Sequence, residues 1–559
     1  DNLSAVLDSL ARVRDGFEVE GDLYAQVDSL ASSYNKVFYT VYATGTQPST
    51  AELEQALETI GVSNLSGTRS TGQVALLQGV IASVANGQSE ADQASLINTV
   101  AKIESYVATV EKVLALADSS NVQSVSISDA ELTQLGFGDL LADSAGNSRS
   151  AVLLKVLADQ TSSAVVVDYA NLETLLETAV DAFDAVVALT TAAQAQADTS
   201  SALAAIDAAT FSEMGVEGVT DVAVTGLTAA DMALAVKDAL ENTGNPVTSL
   251  AAVQTIVDSY TAVLATAQSG APSFDEADLV NIGVELTSTA GAQPAQVAIL
   301  QDFLATLSLS DVARINDLQA EVDLVDRVLT RAAGDTDILV TDAEYLDLGI
   351  QGATANNLPA LQKVLSDLGS VDSVSTLADL QSKLNTTVQA FADITAIAGQ
   401  SSADTSALTA TTFANMGIDA LDDTRLAVTL SALMNTSSAT TLADVQAAVD
   451  AINSLLDIAD SDTGAVSAQM LTAIGLTPVA DLTAQTVQLT LVGDLLAAAD
   501  ESDFASVADI NELLSLTTAV FANVAGTADI VQSDLEDLGV TNITADNLST
   551  LQAVLEQQT

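Results

Sequence analysis

Two stretches gather carboxylates closely enough to suggest cation chemistry. DTDILVTD supplies Asp335, Asp337 and Asp342, and DIADSDTG supplies Asp457, Asp460 and Asp462. Oxygen-rich loops of this kind suit calcium, a hard cation that takes about six to eight oxygen ligands in flexible geometry. Neither stretch keeps the EF-hand spacing. Gly464 arrives one position early, and no Glu closes the loop. Looser screening by divalent ions is therefore expected rather than a closed cage, and acids at helix starts also complement the macrodipole.

No other chemistry is expected. The chain has no His and no Cys, so it lacks the commonest general base, the commonest metal ligand and any thiolate. Serine and threonine are plentiful but have no imidazole partner. A Ser–Lys pair would have to draw on seven lysines, and Lys102, Lys112 and Lys383 fall in helical patterns beside polar neighbours, where a solvated surface is expected. With 75 acidic residues, close carboxylate pairs arise by chance. No phosphate-binding loop or dinucleotide fingerprint is present. The expectation is a non-enzyme without a cofactor, calcium being the one ion worth testing.

Charge narrows the partners. Against 75 acidic residues stand 15 basic ones, for a net charge of −60, and no cation follows Arg425. Without a basic face, nucleic-acid binding is not expected. An anionic membrane surface would repel the chain, and no run of about 18 apolar residues appears, so no membrane insertion is expected. Such a charge favours solubility, and salt or divalent cations would screen it, which fits a saline or extracellular setting.

The elements that would position any site come from a repeat. A short apolar segment, a glycine and an apolar follower recur at Gly61, Gly136, Gly215, Gly283, Gly349, Gly417, Gly475 and Gly539. The spacing averages about 68 residues over seven steps. Each unit reads as three helices. The first is short and opens on capping boxes: Ser49 with Glu52, Ser128 with Glu131, Ser273 with Glu276, Thr341 with Glu344, and Ser533 with Glu536. It ends at the recurring glycine, in the left-handed conformation a side chain disfavours. These glycines are read as structural turns, not ligand sites. The second helix is NLPALQKVLSDL (357–368) or NLSTLQAVL (547–555). The third is the longest. TLADVQAAVDAINSLLDIA (441–459) sets Leu442, Val445, Val449, Ile452 and Leu456 on one face, and the same pattern appears in 249–267 and 376–394.

The expected fold is all-α: about eight three-helix repeats of about 68 residues, stacked as a solenoid or elongated rod. Partial repeats occupy 1–44 and 527–559, and whole ones 45–118, 119–198, 199–269, 270–334, 335–399, 400–460 and 461–526. The chain opens on DNLSAVLDSL and returns to DNLSTLQAVL at 546–555, the same phase of the repeat. That match suggests a segment of a longer array. The alternative is a complete subunit whose ends complement neighbouring copies.

The phrases TTFANMGI (411–418), TLADVQAAVD (441–450) and DLEDLGVTNIT (534–544) carry a resemblance to the Ala/Asp/Thr-rich helical repeats of very large bacterial surface proteins: giant adhesins and extracellular matrix or surface-layer components. It covers the whole chain, loosely between about 66 and 210. The resemblance implies secretion, a cell-surface location and a spacer or assembly role, with partners supplied by self-association or by neighbouring repeats of the same polypeptide. The expected function is a non-catalytic extracellular scaffold forming a rod, filament or surface lattice. The alternative is an adhesion module of a giant adhesin that recognises a protein partner along its repeat groove.

Overall fold

A computed structural model describes residues 3–558 except 13–19, 41–45, 64, 66–69, 119–124, 143–147, 245, 287–292, 419–420, 422, 438, 462–463, 479 and 481. It is all-helical. Among the described residues there is no strand, only one isolated antiparallel bridge between Ala142 and Ser148. Backbone contacts divide the chain into two compact regions, residues 1–286 with 304–320, and residues 287–303 with 321–559. The repeat borders at 44/45 and 118/119 lie outside the described residues.

The helices are of three kinds. Long ones include Val100–Leu116, Leu250–Ser269, Leu377–Ile397, Leu442–Ser461 and Val507–Val524. Their apolar periodicity is expressed as burial: Leu442, Val445, Val449, Ile452 and Leu456 all lie in the core. Alanine between them, as at Ala448 and Ala451, lets neighbours approach closely. Each long helix starts sharply. Ser249 accepts from the Ala252 N–H and Thr376 from the Asp379 N–H, satisfying donors that the first turn leaves unpaired. Leu250–Ser269 is long and apolar enough to cross a bilayer by composition, which the sequence reading had not credited. Ten of its side chains are buried within the fold, as expected of a core helix.

Middle helices include Leu3–Arg12, Ser70–Ala85, Ala229–Asn242, Leu358–Asp367 and Ala545–Glu556. In Leu358–Asp367 the proline falls in the first turn, where its missing N–H leaves no bond unmade. Short helices of five to ten residues include Thr50–Thr59, Glu276–Asn281, Ala410–Ala414 and Gln532–Asp537. Two further short helices, Glu90–Leu96 and Ser200–Ala205, lie in the stretch where the sequence period is loosest.

The capping boxes differ from expectation in two of five places. Ser49–Glu52, Ser128–Glu131 and Thr341–Glu344 form as read. At the fourth, the cap is Asp275 paired with Asp278. Ser273 turns away, its hydroxyl donating to the Ala262 carbonyl at 2.6 Å. At the fifth, Val531 precedes the helix and Asp534 accepts its N–H at 3.3 Å, which leaves Ser533 inside the first turn. In both, an aspartate three places after the cap does what glutamate does elsewhere. A pattern restricted to Ser/Thr and Glu therefore chose the wrong residues.

Candidate functional site

The features that recur through the molecule are the turns at the eight glycines. At Gly283 the backbone is left-handed, with φ +83°. Its N–H donates to the Val280 carbonyl at 3.1 Å, and the Val284 N–H reaches back to Leu279 at 3.0 Å. This pair of bonds closes the helix and satisfies carbonyls its last turn would orphan. The same two bonds form at Gly61, Gly136, Gly215, Gly349, Gly417, Gly475 and Gly539, each with positive φ. The closing carbonyl belongs to a buried residue at each turn, as in Leu57, Phe211, Tyr345 and Leu471, and the apolar follower is buried at all of them except Val540.

Several of these turns also sit against the end of a preceding middle helix. A Cβ at Gly283 would come 2.6 Å from the carbonyl carbon and oxygen of Asn242. One at Gly475 would come 2.7 Å from the Asn435 carbonyl oxygen, whose side-chain amide already donates to the Ile474 carbonyl at 3.0 Å. At Gly215 and Gly417 the obstacle is a lysine stem, Lys155 or Lys363. At Gly61 and Gly539 there is open space.

A second recurring contact ties the middle helix to the segment ahead of its short helix. Gln78 donates to the Pro48 carbonyl, Lys237 to Ile206, Gln362 to Val340 and Gln552 to Ile530, at 2.7–3.2 Å. A third tie runs forward. Asp8 accepts the Val100 N–H at 2.9 Å, Ser431 accepts the Val507 N–H at 3.1 Å, and Asp238 pairs with Arg314 just ahead of the next long helix. Two of these middle helices thus cap the starts of long helices 76 or 92 residues onward, and the third holds its long helix by an ion pair.

The scarce cations work inside this framework, which sequence reasoning missed. Arg12 bonds Glu104 at 2.8 Å, and Lys112 bonds Glu131 at 2.6 Å. Arg149 grips Asp184, and Lys155 holds both Asp159 and Glu217. Lys112 is therefore an inter-helix tie made at the surface, its side chain 40% exposed. Arg331 is 6% exposed and has no carboxylate partner among the described residues. Its guanidinium donates to the carbonyls of Gln362 (2.9 Å), Thr336 (3.0 Å) and Ile338 (2.6 Å). A planar fork of five donors suits such a cluster of backbone acceptors.

That arrangement bears on calcium. In the first acidic stretch, carbonyls that could ligate a metal already accept from Arg331. Asp335 accepts the Asp337 N–H at 2.9 Å, and Asp335 and Asp337 are otherwise exposed. In the second, Asp457 pairs with Arg425 at 2.7 Å, Asp460 is exposed and Asp462 lies outside the described residues. Among the described residues no three carboxylates converge. Electrostatics follow the ties. Glu131 is held below its usual range, first by the Lys112 bond and then by the Ser128 N–H. Burial pushes Asp238 above its usual range despite Arg314 beside it. Burial also raises the Tyr260 and Tyr345 hydroxyls strongly.

A cleft of about 580 Å³ is lined by Ser431, Asn435, Gly475, Thr477, Val507 and Asn511 among others. None of its lining residues is titratable, so it offers hydrogen bonds but no acid, base or nucleophile poised for catalysis. Large exposed apolar side chains gather in the first 39 residues, at Leu3, Leu7, Leu23, Tyr24 and Tyr39.

Comparison with protein-family models, curated proteins and solved structures found no match.

Proposed function

We propose that the chain is a tandem array of about eight three-helix units stacked end on end as a rod or solenoid, and that it is a non-catalytic structural scaffold at the cell surface. One observation carries the reading. The same inter-helix ties recur, from middle helix back to the lead of its short helix, and forward to the glycine turn and long helix of the next unit. Contacts restricted to neighbouring units are what a repeat array needs, and they allow it to lengthen without new chemistry. The ties occupy most of the described cations, which leaves an anionic surface that favours separation until counterions screen it. The turn glycines, Gly61 through Gly539, serve this architecture and hold no ligand. No cofactor takes part, and calcium acts at most by screening. Secretion and the surface location rest on the acidic composition and on the resemblance to bacterial surface repeats.

Electron microscopy of the purified chain at about 0.5 M salt, where screening is nearly complete, tests the reading. Elongated particles that join into fibres or lattices are expected. A single compact globule, or dispersed particles that stay separate at every concentration, would overturn it. Cell fractionation tests the location, a cytoplasmic pool being the contrary result.

A further inference from the structure

Just past the glycine, several turns are tied to a long helix. In four of them the N–H two residues after the glycine donates to a long-helix side chain: Ser63 to Glu104 at 3.2 Å, Glu217 to Gln254 at 3.0 Å, Glu285 to Gln319 at 2.8 Å and Gln351 to Asn385 at 3.0 Å. In two of these the side-chain amide meets both backbone groups of the residue. Gln254 also donates to the Glu217 carbonyl at 3.2 Å, and Gln319 to the Glu285 carbonyl at 3.0 Å. The N–H and C=O of one residue are then answered on the same edge, as in the hydrogen-bonded pair of an antiparallel ladder. Glu104, Gln254 and Gln319 are each the fifth residue of their helices, Val100–Leu116, Leu250–Ser269 and Ile315–Ala332. At Gly136 the chain runs instead into the 3-10 turn Gly138–Leu140.

The turn at Gly475 lacks the tie. Its matching residues are Thr477 and Asn511, the fifth residue of Val507–Val524. Asn511 is one methylene shorter than glutamine, and no hydrogen bond joins it to Thr477 among the described residues. The cleft of about 580 Å³ opens at this point, between the helix Asp423–Asn435, the turn and the start of Val507–Val524. Two of its polar wall residues are engaged: Ser431 accepts the Val507 N–H, and Asn435 donates to the Ile474 carbonyl. The others are not. Among the described residues Thr477 makes no hydrogen bond through its backbone or its hydroxyl, and the side chains of Gln400, Ser401 and Asn511 make none. Fixed walls thus surround a residue whose N–H and C=O are both unmet.

We propose that this cleft binds an extended, uncharged stretch of peptide, one residue of which pairs its N–H and C=O with Thr477 in place of the missing side-chain amide. An extended residue presents those two groups on one edge, as the Gln254 and Gln319 amides do at their turns. Backbone pairing of this kind gives peptide sites their affinity. The Gln400 and Asn511 amides each carry donors and an acceptor for the peptide groups on either side. The half-buried Met434 adapts to aliphatic side chains beside them. No charged residue lines the cleft, so nothing there rewards a charged side chain, and a net charge of −60 repels an acidic peptide. A saccharide would find hydroxyl and amide partners, but no aromatic ring lines the cleft for its apolar face to stack on. The site adds peptide capture to the scaffold and needs only residues between 400 and 511, whatever the stacking of the whole chain.

Saturation-transfer NMR on the full chain tests the site. The probes are acetyl-tetraalanine methylamide, which offers backbone amides alone, and maltotetraose. Asn511→Gln is the paired variant. Its longer amide should tie Thr477 as Gln254 ties Glu217, and the position is exposed, so circular dichroism should be unchanged. In the unaltered chain the peptide should receive saturation at millimolar concentration and slow the exchange of the Thr477 N–H, while the saccharide receives none. In the variant the Thr477 N–H should exchange at least about tenfold more slowly without peptide, and peptide binding should weaken by at least about tenfold. No transfer to the peptide from the unaltered chain would overturn the site. So would transfer that Asn511→Gln leaves undiminished, or a Thr477 N–H that exchanges no more slowly in the variant. Transfer to maltotetraose alone would overturn the peptide assignment and give the cleft to a saccharide. None of these results depends on particle shape, so the rod reading stands or falls separately by microscopy.

Discussion

Gly283 and Gly539 close their short helices with the same turn, at φ +83° and +81° and with the same pair of backbone bonds. Their surroundings differ. A Cβ on Gly283 would meet the backbone of Asn242 and Thr243 at 2.6–2.9 Å, whereas one on Gly539 would meet nothing within 4 Å. The apolar follower differs as well: Val284 is buried and Val540 is 39% exposed. One local signal therefore performs two tasks. Everywhere it ends a helix. At Gly283 it also lets the backbone of the turn lie directly on the end of the helix Ala229–Asn242.

Alanine substitution should separate the two tasks. Gly539→Ala has only the left-handed backbone to oppose it, about 1–2 kcal/mol. Gly283→Ala adds an overlap with backbone atoms that cannot rotate away, for a total of at least about 3 kcal/mol. Hydrogen exchange is the suitable measurement, because it resolves local opening helix by helix. Protection should collapse in Ala229–Asn242 and Glu276–Asn281 for Gly283→Ala. For Gly539→Ala it should fall modestly in Gln532–Asp537 alone. Equal losses at the two sites would remove the distinction between them.

A second pair sharpens the contrast. Arg331 and Asn523 each stand three residues before a left-handed glycine, Gly334 and Gly526, at the end of a long helix. Arg331 reaches three carbonyls; Asn523 is fully buried and both its amide atoms lack a partner among the described residues. Arg331→Met should cost about 2–3 kcal/mol, because three carbonyls lose a charged donor in a buried setting. Asn523→Leu should have the opposite sign, stabilising the helix Val507–Val524 by about 1 kcal/mol as an unsatisfied amide is removed. Melting curves of both variants check the signs, and a destabilised Asn523→Leu would show that the buried amide is satisfied in solution. The Arg331 clamp also predicts that chelator leaves the melting curve of the unaltered chain unchanged, since the carbonyls near Asp335 are already occupied.

What could be read from the sequence was local. The spacing of Leu442, Val445, Val449, Ile452 and Leu456 marks a helix face because burial enforces a period of 3.6 residues. The turn at Gly349 is equally readable, because its left-handed backbone selects glycine whatever lies nearby. The ties between helices distant in sequence were not readable. Asp8 and Val100 lie 92 residues apart, and nothing in either local phrase indicates that one caps the other. Lys112 and Arg331 illustrate the same limit. Each sits in an ordinary helical pattern, and only the tertiary arrangement brings Glu131 or three carbonyls within reach. A possible signal for Arg331 was its position beside the residue pair that ends a long helix, an expensive place for a cation to be buried without a job. The acidic stretches show the same limit: their carboxylate count was visible, but the arginines bonded to Asp457 and to the carbonyls beside Asp335 were not.

The smallest effect concerns two capping boxes of the same design. Glu52 is held below its usual range first by the Ser49 N–H and hydroxyl, with a smaller attraction from Lys36 and no cation bonded to it among the described residues. Glu131 is lowered first by Lys112 and then by Ser128. A carboxyl whose pKa is lower in the folded chain contributes stability that is complete above its unfolded value, about 4.3, and is lost as pH falls through the folded value. Protection of Asp129–Gln134 should therefore decline as the pH is taken from about 5 to 3. Glu131→Gln should remove that dependence at a cost of about 0.5–1 kcal/mol at neutral pH, since the amide still accepts from the cap but the cation loses its partner. Lys112→Met should leave the Ser128 part of the response and weaken the rest, bringing this helix close to the behaviour of Thr50–Thr59. If Lys112→Met leaves the exchange profile of Asp129–Gln134 unchanged across that range, the lysine tie adds nothing to the cap, and the two boxes are energetically alike.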